Sequence, residues 1–191
     1  MIHQRTLADT PFPGDDGQAD PRARARLAAA GSGNLADYLR AVAELCTVRL
    51  LVPVVATNTV AGQTVSGLAT DKEAEMAVVL LQAADGRRAM VAFTGMDSLT
   101  DWNAEARPVP VTLDVAAASA RQEGAAALLV DVDGPNPLAL DGEVLEHLAA
   151  GHRLVEVGGG QFGWAMPAGT EDADPGRPDS VADPKDAGTA G

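Results

Sequence analysis

Apolar side chains recur at helical spacing after Asn34 and predict an amphipathic helix. The positions that share one helix face are Leu35, Tyr38, Leu39, Val42, Leu45 and Cys46. Asn34 is a favourable N-cap, and Asp37 places an acid in the first turn. Because Cys46 falls on the apolar stripe, a buried and unreactive thiol is favoured over a reactive one.

Continuously apolar or β-branched runs predict the first strands of a sheet. Residues 48–55 form such a run, but Pro53 lacks a ladder donor and should confine this strand to a peripheral position. Residues 76–81 are apolar throughout and predict an interior strand. The Asp-Gly dipeptide that follows is a hairpin signal, so this strand should pair antiparallel with residues 88–93.

The second half of the chain alternates short helices with short strands. Thr94 is predicted to cap a short helix that folds Trp102 back onto the sheet. Residues 107–111 carry two prolines and predict an extended edge segment. The remaining predicted elements are a helix from Thr112 to Glu123, strands over 125–130 and 138–140, a helix over 142–149 and a hairpin over 153–166.

This order of elements predicts an α+β fold, a single domain with a mixed, mainly antiparallel sheet covered by helices. Parallel pairing around the Thr112 helix is the alternative, and it would shade the fold toward α/β. The predicted domain spans residues 22–166. Residues 1–21 and the acidic residues 167–191 lack apolar periodicity, so both are predicted to be disordered tails.

Charge and cysteine content restrict the classes of partner. The formal net charge is −13, and the tails and the middle of the chain are all acidic. Phosphate backbones and anionic membranes attract clustered Lys and Arg, so we expect neither nucleic-acid nor membrane binding. Arg22, Arg24 and Arg26 are the local exception, and we interpret them as a solvated helix face. A single cysteine and an N-terminus without an apolar core predict a cytoplasmic protein.

Two clusters of charged residues contain the candidate binding residues. Asp131 and Asp133 follow a predicted strand, where turn chemistry is the favoured interpretation and weak metal binding is the alternative. Lys72, Glu73 and Glu75 crowd the start of the strand over 76–81, and the two glutamates should share one face. These three residues act either as gatekeepers that keep the strand soluble or as a polar recognition patch.

Other motifs predict no catalysis. Gly158, Gly160 and Gly163 satisfy Gly-x-Gly-x-x-Gly, but no helix and second strand follow, so a hairpin turn is favoured over a nucleotide site. His147 and His152 are five residues apart and lack the spacing of zinc ligands. No serine lies in a Gly-x-Ser-x-Gly context. We therefore predict no catalytic residue, no metal site and no cofactor.

Four segments together carry a family resemblance. They are KEAEM from Lys72, LLQAADGRRAMVAFTGMDSLTDW from Leu80, ARPVPV from Ala106 and EGAAALLVDVDGPNP from Glu123. Over about residues 34–149 the chain resembles the SseB-like N-terminal domain family, particularly its actinobacterial members. The resemblance implies a small intracellular α+β domain with no agreed biochemical activity and no established catalytic residues. The end of the chain does not resemble the C-terminal module of longer relatives.

The sequence predicts a complete fold but no set of catalytic residues, which favours a non-enzymatic protein-binding or adaptor domain. Its expected partner is another protein or a second copy of the chain. A small-metabolite sensor linked to amino acids is the alternative, implied by the serine-sensitivity phenotype for which the family is named. An uncharacterised enzyme is the third hypothesis, and it requires Asp131, Asp133 and Glu73 or Glu75 to converge in one pocket.

Overall fold

The computed structural model describes residues 12–57 and 75–167. The helices in this part of the chain are α1 (Pro21–Ala30), α2 (Leu35–Leu45), α3 (Met96–Trp102), α4 (Leu113–Gln122) and α5 (Gly142–Ala149). The strands are β1 (Arg49–Thr57), β2 (Glu75–Val78), β3 (Leu80–Gln82), β4 (Arg88–Ala92), β5 (Arg107–Thr112), β6 (Ala127–Val130), β7 (Leu138–Asp141), β8 (Arg153–Gly158) and β9 (Gln161–Ala165).

The strands form three hydrogen-bonded groups, in the orders β2-β1-β5, β3-β4-β6-β7 and β8-β9. Among the described strands only β4 and β6 pair in parallel, with Ala92 opposite Val130 at their carboxyl ends. A bridge between Leu51 and Phe93 joins the first two groups. The fold is therefore α+β with a mixed, mainly antiparallel sheet, and the α/β alternative is limited to this one pair.

Local signals correctly predicted several element boundaries. The Asn34 side chain accepts a hydrogen bond from the Ala36 N–H at the start of α2. The β3–β4 hairpin forms at the Asp-Gly dipeptide, where Gly86 has a φ of +86°. Such positive φ angles favour glycine because it has no Cβ. These features depend on neighbours in sequence, so the sequence alone was enough to predict them.

The predicted peripheral position of the first strand is wrong. β1 lies in the middle of its group, between β2 and β5. Pro53 is opposite Pro108, so the two positions without an N–H donor occupy the same rung of the ladder. Leu51 exchanges both backbone hydrogen bonds with Phe93, so the Pro53 nitrogen, two residues on, also faces away from β5, on the side where the described pairing with β2 begins only at Val54. The missing donor is therefore tolerated because it removes no bond of the β1–β5 ladder.

The predicted interior strand over 76–81 is two strands, β2 and β3, and each lies at an edge of its group. The chain changes partners at Val79, so that Val78 pairs with β1 and Leu80 pairs with β4. Val79 and Leu80 are half-buried. The continuous apolar run therefore marks a segment that passes from one group of strands to the next, and not a single strand covered on both faces.

The sheet separates two apolar clusters. Met90 and Ala92 of β4 face the larger cluster, which also contains the buried faces of the helices α1, α2, α4 and α5. Val91 and Phe93 face the smaller cluster, where Trp102 packs on the Phe93 ring at a centroid distance of 5.3 Å. β4 is thus covered on both faces, and its carboxyl end is held rigidly between the two clusters.

Cys46 lies at the C-terminal end of α2 and is half-buried. Burial raises the pKa of its thiol above the ordinary value, and smaller effects of the Leu154 backbone and Arg153 oppose this. A raised pKa lowers the fraction of thiolate, which is the reactive form. The position and the pKa support an unreactive thiol.

Candidate functional site

The carboxyl ends of β4 and β6 meet at one edge of the sheet because these two strands run in parallel. Thr94 follows β4, and Asp131 directly follows β6, where its N–H donates to the Ala92 carbonyl at 2.9 Å. Crevices beyond the carboxyl ends of parallel strands are common ligand sites. The candidate site is built around these two residues.

Asp131 is a buried carboxylate, 3% exposed, with a φ of +50°. Its Oδ1 accepts hydrogen bonds from the Thr94 N–H at 2.9 Å and from the Ser98 hydroxyl at 2.7 Å. Its Oδ2 accepts from the Thr94 hydroxyl at 2.7 Å. The chain turns after Asp131, since the Gly134 N–H donates to the Asp131 carbonyl at 2.8 Å. The side chain, however, reaches the neighbouring strand instead of its own turn.

Thr94 connects three parts of the site and is not the predicted helix cap. The N-cap of α3 is Gly95, and no side chain caps it. The Thr94 hydroxyl instead donates to Asp131 and accepts from the Arg24 Nε–H at 2.6 Å. A buried carboxylate requires strong donors, so it takes the hydroxyl that would otherwise cap the helix.

Arg24 projects from α1 into the site, which corrects its assignment to a solvated face. Its Nη2 donates to Asp97 Oδ1 at 2.7 Å and to the Ser98 hydroxyl at 3.2 Å. Its Nε lies 3.6 Å from Asp131 Oδ2. Arg22 and Arg26 are exposed, as expected. The only sequence signal for Arg24 was its place beside Ala23 on the face of α1 that carries the buried Leu27.

Residues 12–20, here called the strap, run across this edge of the sheet and are held by Arg49. The Arg49 guanidinium donates to both carboxylate oxygens of Asp15, from Nε at 2.7 Å and from Nη2 at 3.0 Å. It also donates to the Gln18 carbonyl at 2.7 Å and to the Thr94 carbonyl. The Arg49 side chain is 10% exposed and that of Asp15 is 19% exposed. This bidentate pair is therefore largely shielded from water.

The strap also makes a backbone contact that requires glycine. The Met96 N–H donates to the Gly17 carbonyl at 2.8 Å. Gly17 has a φ of +79°, and a Cβ at this position would lie 2.5 Å from the Met96 Cγ. These residues belong to the predicted N-terminal tail. Composition pointed to a tail because the strap is held by polar contacts and buries few large apolar groups.

The charged groups of the site lower the pKa of two carboxyl groups, those of Asp15 and Asp97. Hydrogen bonds from the Arg49 guanidinium hold the pKa of Asp15 below its ordinary value, although partial burial opposes this. Burial also raises the pKa of Asp97, but the Ser98 N–H and the Arg24 guanidinium outweigh it, and the net pKa is lowered. Both carboxyl groups are thus stabilised as anions beside a cation.

A cavity of about 370 Å³ lies beside the strap. It is lined by strap residues 16–19 together with Arg24, Met96 and Asp97. Within the described residues, every buried side-chain nitrogen and oxygen has a hydrogen-bond partner. In the same residues no group of three or more His, Cys, Asp or Glu side chains is placed to hold a metal ion. The hydroxyls of Thr94 and Ser98 and the carboxylate of Asp131 are therefore already hydrogen-bonded within the chain.

The structure separates the residues that the sequence analysis selected. Asp131 is the centre of the site, whereas Asp133 is exposed and does not join it. Lys72 and Glu73 lie outside the described residues. Glu75 begins β2, where its Cα is paired with Thr57. Arg24, Arg49, Thr94 and Ser98 were missed as site residues, because their contacts join segments that are far apart in sequence.

Two other motifs have structural roles. Gly158, Gly159 and Gly160 all have positive φ angles and form the turn between β8 and β9. His147 stacks on Trp164 at a centroid distance of 4.5 Å, and its Nδ1 lies 2.8 Å from the Nδ1 of His152. The glycine motif is a hairpin turn, and His147 contacts both His152 and the hairpin.

The fold and the site together define a class of protein. It is a small α+β domain with a polar site at the carboxyl ends of β4 and β6, the parallel pair among the described strands. The chain belongs to the SseB family, since the model of the SseB protein N-terminal domain matches residues 24–147. The match contains Arg24, Arg49, Thr94 and Asp131, whereas the strap up to Asp20 and the β8–β9 hairpin lie outside it. No curated protein matches the chain, and no solved structure does.

No helix in residues 12–57 and 75–167 is both long enough and apolar enough to cross a bilayer.

Replacing Asp131 with Asn tests the buried carboxylate. We expect the free energy of unfolding to fall by about 1.5–3 kcal/mol, the range for hydrogen bonds to charged groups. Asn tolerates a positive φ, so the backbone turn is retained. Urea denaturation measures the loss, and Asp133→Asn is the matched control, expected to change stability by less than about 0.5 kcal/mol. Equal effects of the two substitutions would contradict the assignment.

Acid should release the strap. Because the folded pKa of Asp15 lies below its ordinary value of 3.8, its pairing with Arg49 is fully present above pH 3.8. The stabilisation is lost as the pH falls through the folded pKa. We expect the NMR signals of Gly17 and the Met96 amide to shift in that acidic range. Asp15→Asn is the control, and a transition that persists in this variant would assign the change to another group.

Proposed function

We propose that the protein is a non-enzymatic binding domain that recognises a short, acidic, glycine-containing segment of a protein partner. The recognition surface is the strap groove, defined as the Met96 N–H and the Arg49 guanidinium, which the Thr94 carbonyl holds in place. One observation carries the proposal. The groove already holds a short acidic segment of the same chain, through the Asp15 carboxylate and the Gly17 carbonyl.

The strap groove offers three independent contacts to such a segment. Arg49 supplies a bidentate site for one carboxylate, and the Met96 N–H supplies a donor for a backbone carbonyl two residues later. The close approach to Met96 selects glycine at that second position. Peptide-recognition domains combine the same elements, namely backbone hydrogen bonds for affinity and side-chain contacts for specificity. A partner segment with the pattern Asp-x-Gly reproduces all three contacts.

The engagement of the polar groups supports a binding role over an enzymatic one. The hydroxyls of Thr94 and Ser98 both donate to Asp131, and Thr94 and Asp131 are only 1% and 3% exposed, which keeps a substrate in solution from reaching them. Arg24 donates to the same two hydroxyls, which draws electron density away from them. A nucleophilic hydroxyl needs a base that accepts its proton, and a donor arginine opposes that activation. We infer that the cluster of Arg24, Thr94, Ser98 and Asp131 has a structural role and holds α1 and α3 against the end of β6.

A small-metabolite sensor is the second candidate, favoured by the cavity beside the strap. Its lining joins the Arg24 guanidinium to the carboxylates of Asp16 and Asp97, which fits a zwitterion such as an amino acid. A thermal-shift series with amino acids tests this. A ligand present at a hundred times its Kd should add about 2.7 kcal/mol of stability. We expect Asp97→Asn to abolish the shift, and no shift with any amino acid would refute the sensor.

Several finer expectations accompany the proposal. We infer a cytoplasmic protein of the actinobacterial type, and we expect the partner to be another protein or a second copy of the chain. Nucleic acid is not the expected partner, since the net charge is −13.

A peptide titration tests the strap groove directly. The probe is a synthetic peptide with the sequence of residues 12–20, FPGDDGQAD. It is added to the full chain carrying Asp15→Ala, which frees the guanidinium of Arg49. We expect the peptide to shift the NMR signals of the Met96 amide and the Arg49 Nε–H. The unsubstituted chain should respond at least tenfold more weakly, because its own strap competes at an effective concentration on the order of millimolar.

The controls separate specific recognition from general charge attraction. A peptide with Asn in place of its first Asp keeps the length and every other residue but lacks the carboxylate that Arg49 binds. We expect it to produce no shift at the same concentration. Equal shifts with both peptides, or no shift with either, would show that the strap groove does not recognise an acidic segment.

A further inference from the structure

Two histidines connect helix α5 to the β8–β9 hairpin. His147 lies in the last turn of α5, and His152 directly precedes β8. Their Nδ1 atoms are 2.8 Å apart, and both residues are half-buried. The ring centres are 5.1 Å apart, which is about the largest value that this separation permits. Both Nδ1 atoms therefore lie close to the line between the ring centres, as a linear N–H···N hydrogen bond requires.

The number of protons on the pair decides whether this hydrogen bond can form. A neutral imidazole carries one N–H and one bare nitrogen, whereas an imidazolium carries two N–H groups and no acceptor. Two neutral rings can share a neutral hydrogen bond, and one additional proton makes that bond charge-assisted and about twice as strong. A second additional proton places a hydrogen on both Nδ1 atoms and brings two cations into contact. The pair thus holds one additional proton and resists a second.

The surroundings of the pair place the first additional proton on His147. Its ring stacks on that of Trp164 at a centroid distance of 4.5 Å and an interplanar angle of 19°. The face of an indole ring attracts a cation, and so does the carboxyl end of a helix. His147 then donates its Nδ1–H, and the bare Nδ1 of His152 accepts it.

Within the described residues, neither ring forms an ion pair with a carboxylate. The charged residues on α5 and β8 themselves are Glu143, Glu146, Arg153 and Glu156. The elements packed against them add Asp37, Arg40 and Glu44 of α2, Asp114 and Arg121 of α4, and Asp141 of β7. Arg40 is paired with Asp37 and Glu156, and neither β6 nor β9 carries a charged residue. No direct partner therefore competes for the protons of the two rings.

The hairpin depends on side-chain contacts for its place on the domain. β8 and β9 pair with each other and form a group of their own, separate from the other described strands. Leu154 of β8 is buried in the larger apolar cluster, and Phe162 and Trp164 of β9 pack against it. His147 adds the stack on Trp164 and the hydrogen bond to the start of β8. Release of the hairpin would expose Phe162 and Trp164.

We propose that the histidine latch, defined as His147 and His152, holds the β8–β9 hairpin on α5 in one protonation state and releases it in acid. The latched state carries one additional proton. Because separated rings each accept a proton, the released state binds more protons in acid than the latched state does. For one proton of difference, each pH unit of acidification favours release by up to about tenfold. The inference does not rest on the strap groove, which shares no residue with the latch.

Hydrogen exchange of the hairpin amides in the full chain measures the release. A two-stranded hairpin is marginally stable alone, so its amides exchange once it leaves the domain. The observed rates are divided by the intrinsic rate at each pH, which gives the equilibrium constant for opening. We expect this constant to rise at least about threefold between about pH 7 and about pH 5, the range in which histidines change charge.

His152→Asn separates the latch from a general effect of acid. The asparagine carbonyl can still accept from the His147 Nδ1–H, but it binds no proton. We expect no rise of the opening constant in this variant, because two cations can no longer meet. His3→Gln is the matched control, since it removes the remaining histidine of the chain and should leave the rise intact. An equal rise in His152→Asn, or no rise in the parent chain, overturns the proposal.

Nitrogen NMR of the imidazole rings tests the shared proton in the unsubstituted chain, so the proposal does not depend on whether a variant folds. Two groups that share a proton titrate as a pair, in two steps that both report. We expect the Nδ1 signals of His147 and His152 to shift together in both steps, and the Trp164 indole signal to shift in the more acidic one. Rings that titrate independently, each in one step, would show that no proton is shared.

Discussion

The site depends on the cost of burying one carboxylate. Asp131 is 3% exposed, and a buried anion is stable only when strong donors replace its water. The Thr94 amide, the Thr94 hydroxyl and the Ser98 hydroxyl supply those donors, and the Arg24 guanidinium supplies the opposite charge nearby. Meeting this requirement ties α1 and the start of α3 to the carboxyl end of β6.

Thr94 extends this constraint to the surface of the protein. Its amide and hydroxyl face Asp131, while its carbonyl faces the Arg49 guanidinium. Arg49 in turn binds the carboxylate of Asp15, so the buried anion and the strap share one intervening residue. The strap groove is therefore pre-organised by groups that are already satisfied. Pre-organisation of this kind reduces the entropy lost when a segment binds.

The sequence predicted what depends on neighbours along the chain. The Asn34 cap, the turn at Gly86 and the end of α4 before Gly124 follow from local backbone preferences, and the structure confirms them. The central position of β1 was not predicted, because the side of the strand that Pro53 leaves without a donor depends on pairings with distant strands.

The sequence predicted less of the site than of the fold. Asp131 was selected, but for its turn, and its actual partners are 33 to 37 residues away in the sequence. Arg49 and Asp15 are 34 residues apart, and Asp15 lies in a segment whose composition is typical of a disordered tail. Polar contacts between distant segments leave no periodic pattern, so neither amphipathicity nor composition revealed the strap groove.

A double-mutant cycle between Asp15 and Asp131 tests most directly whether the buried carboxylate organises the strap groove. The free energies of unfolding of the parent chain, Asp15→Asn, Asp131→Asn and the double variant are measured by urea denaturation. Because Thr94 links the two sites, we predict a coupling energy of at least about 0.5 kcal/mol, with Asp15→Asn costing less once Asp131 is replaced. Effects that add to within about 0.3 kcal/mol would contradict the account, since the strap would then be held independently of Asp131.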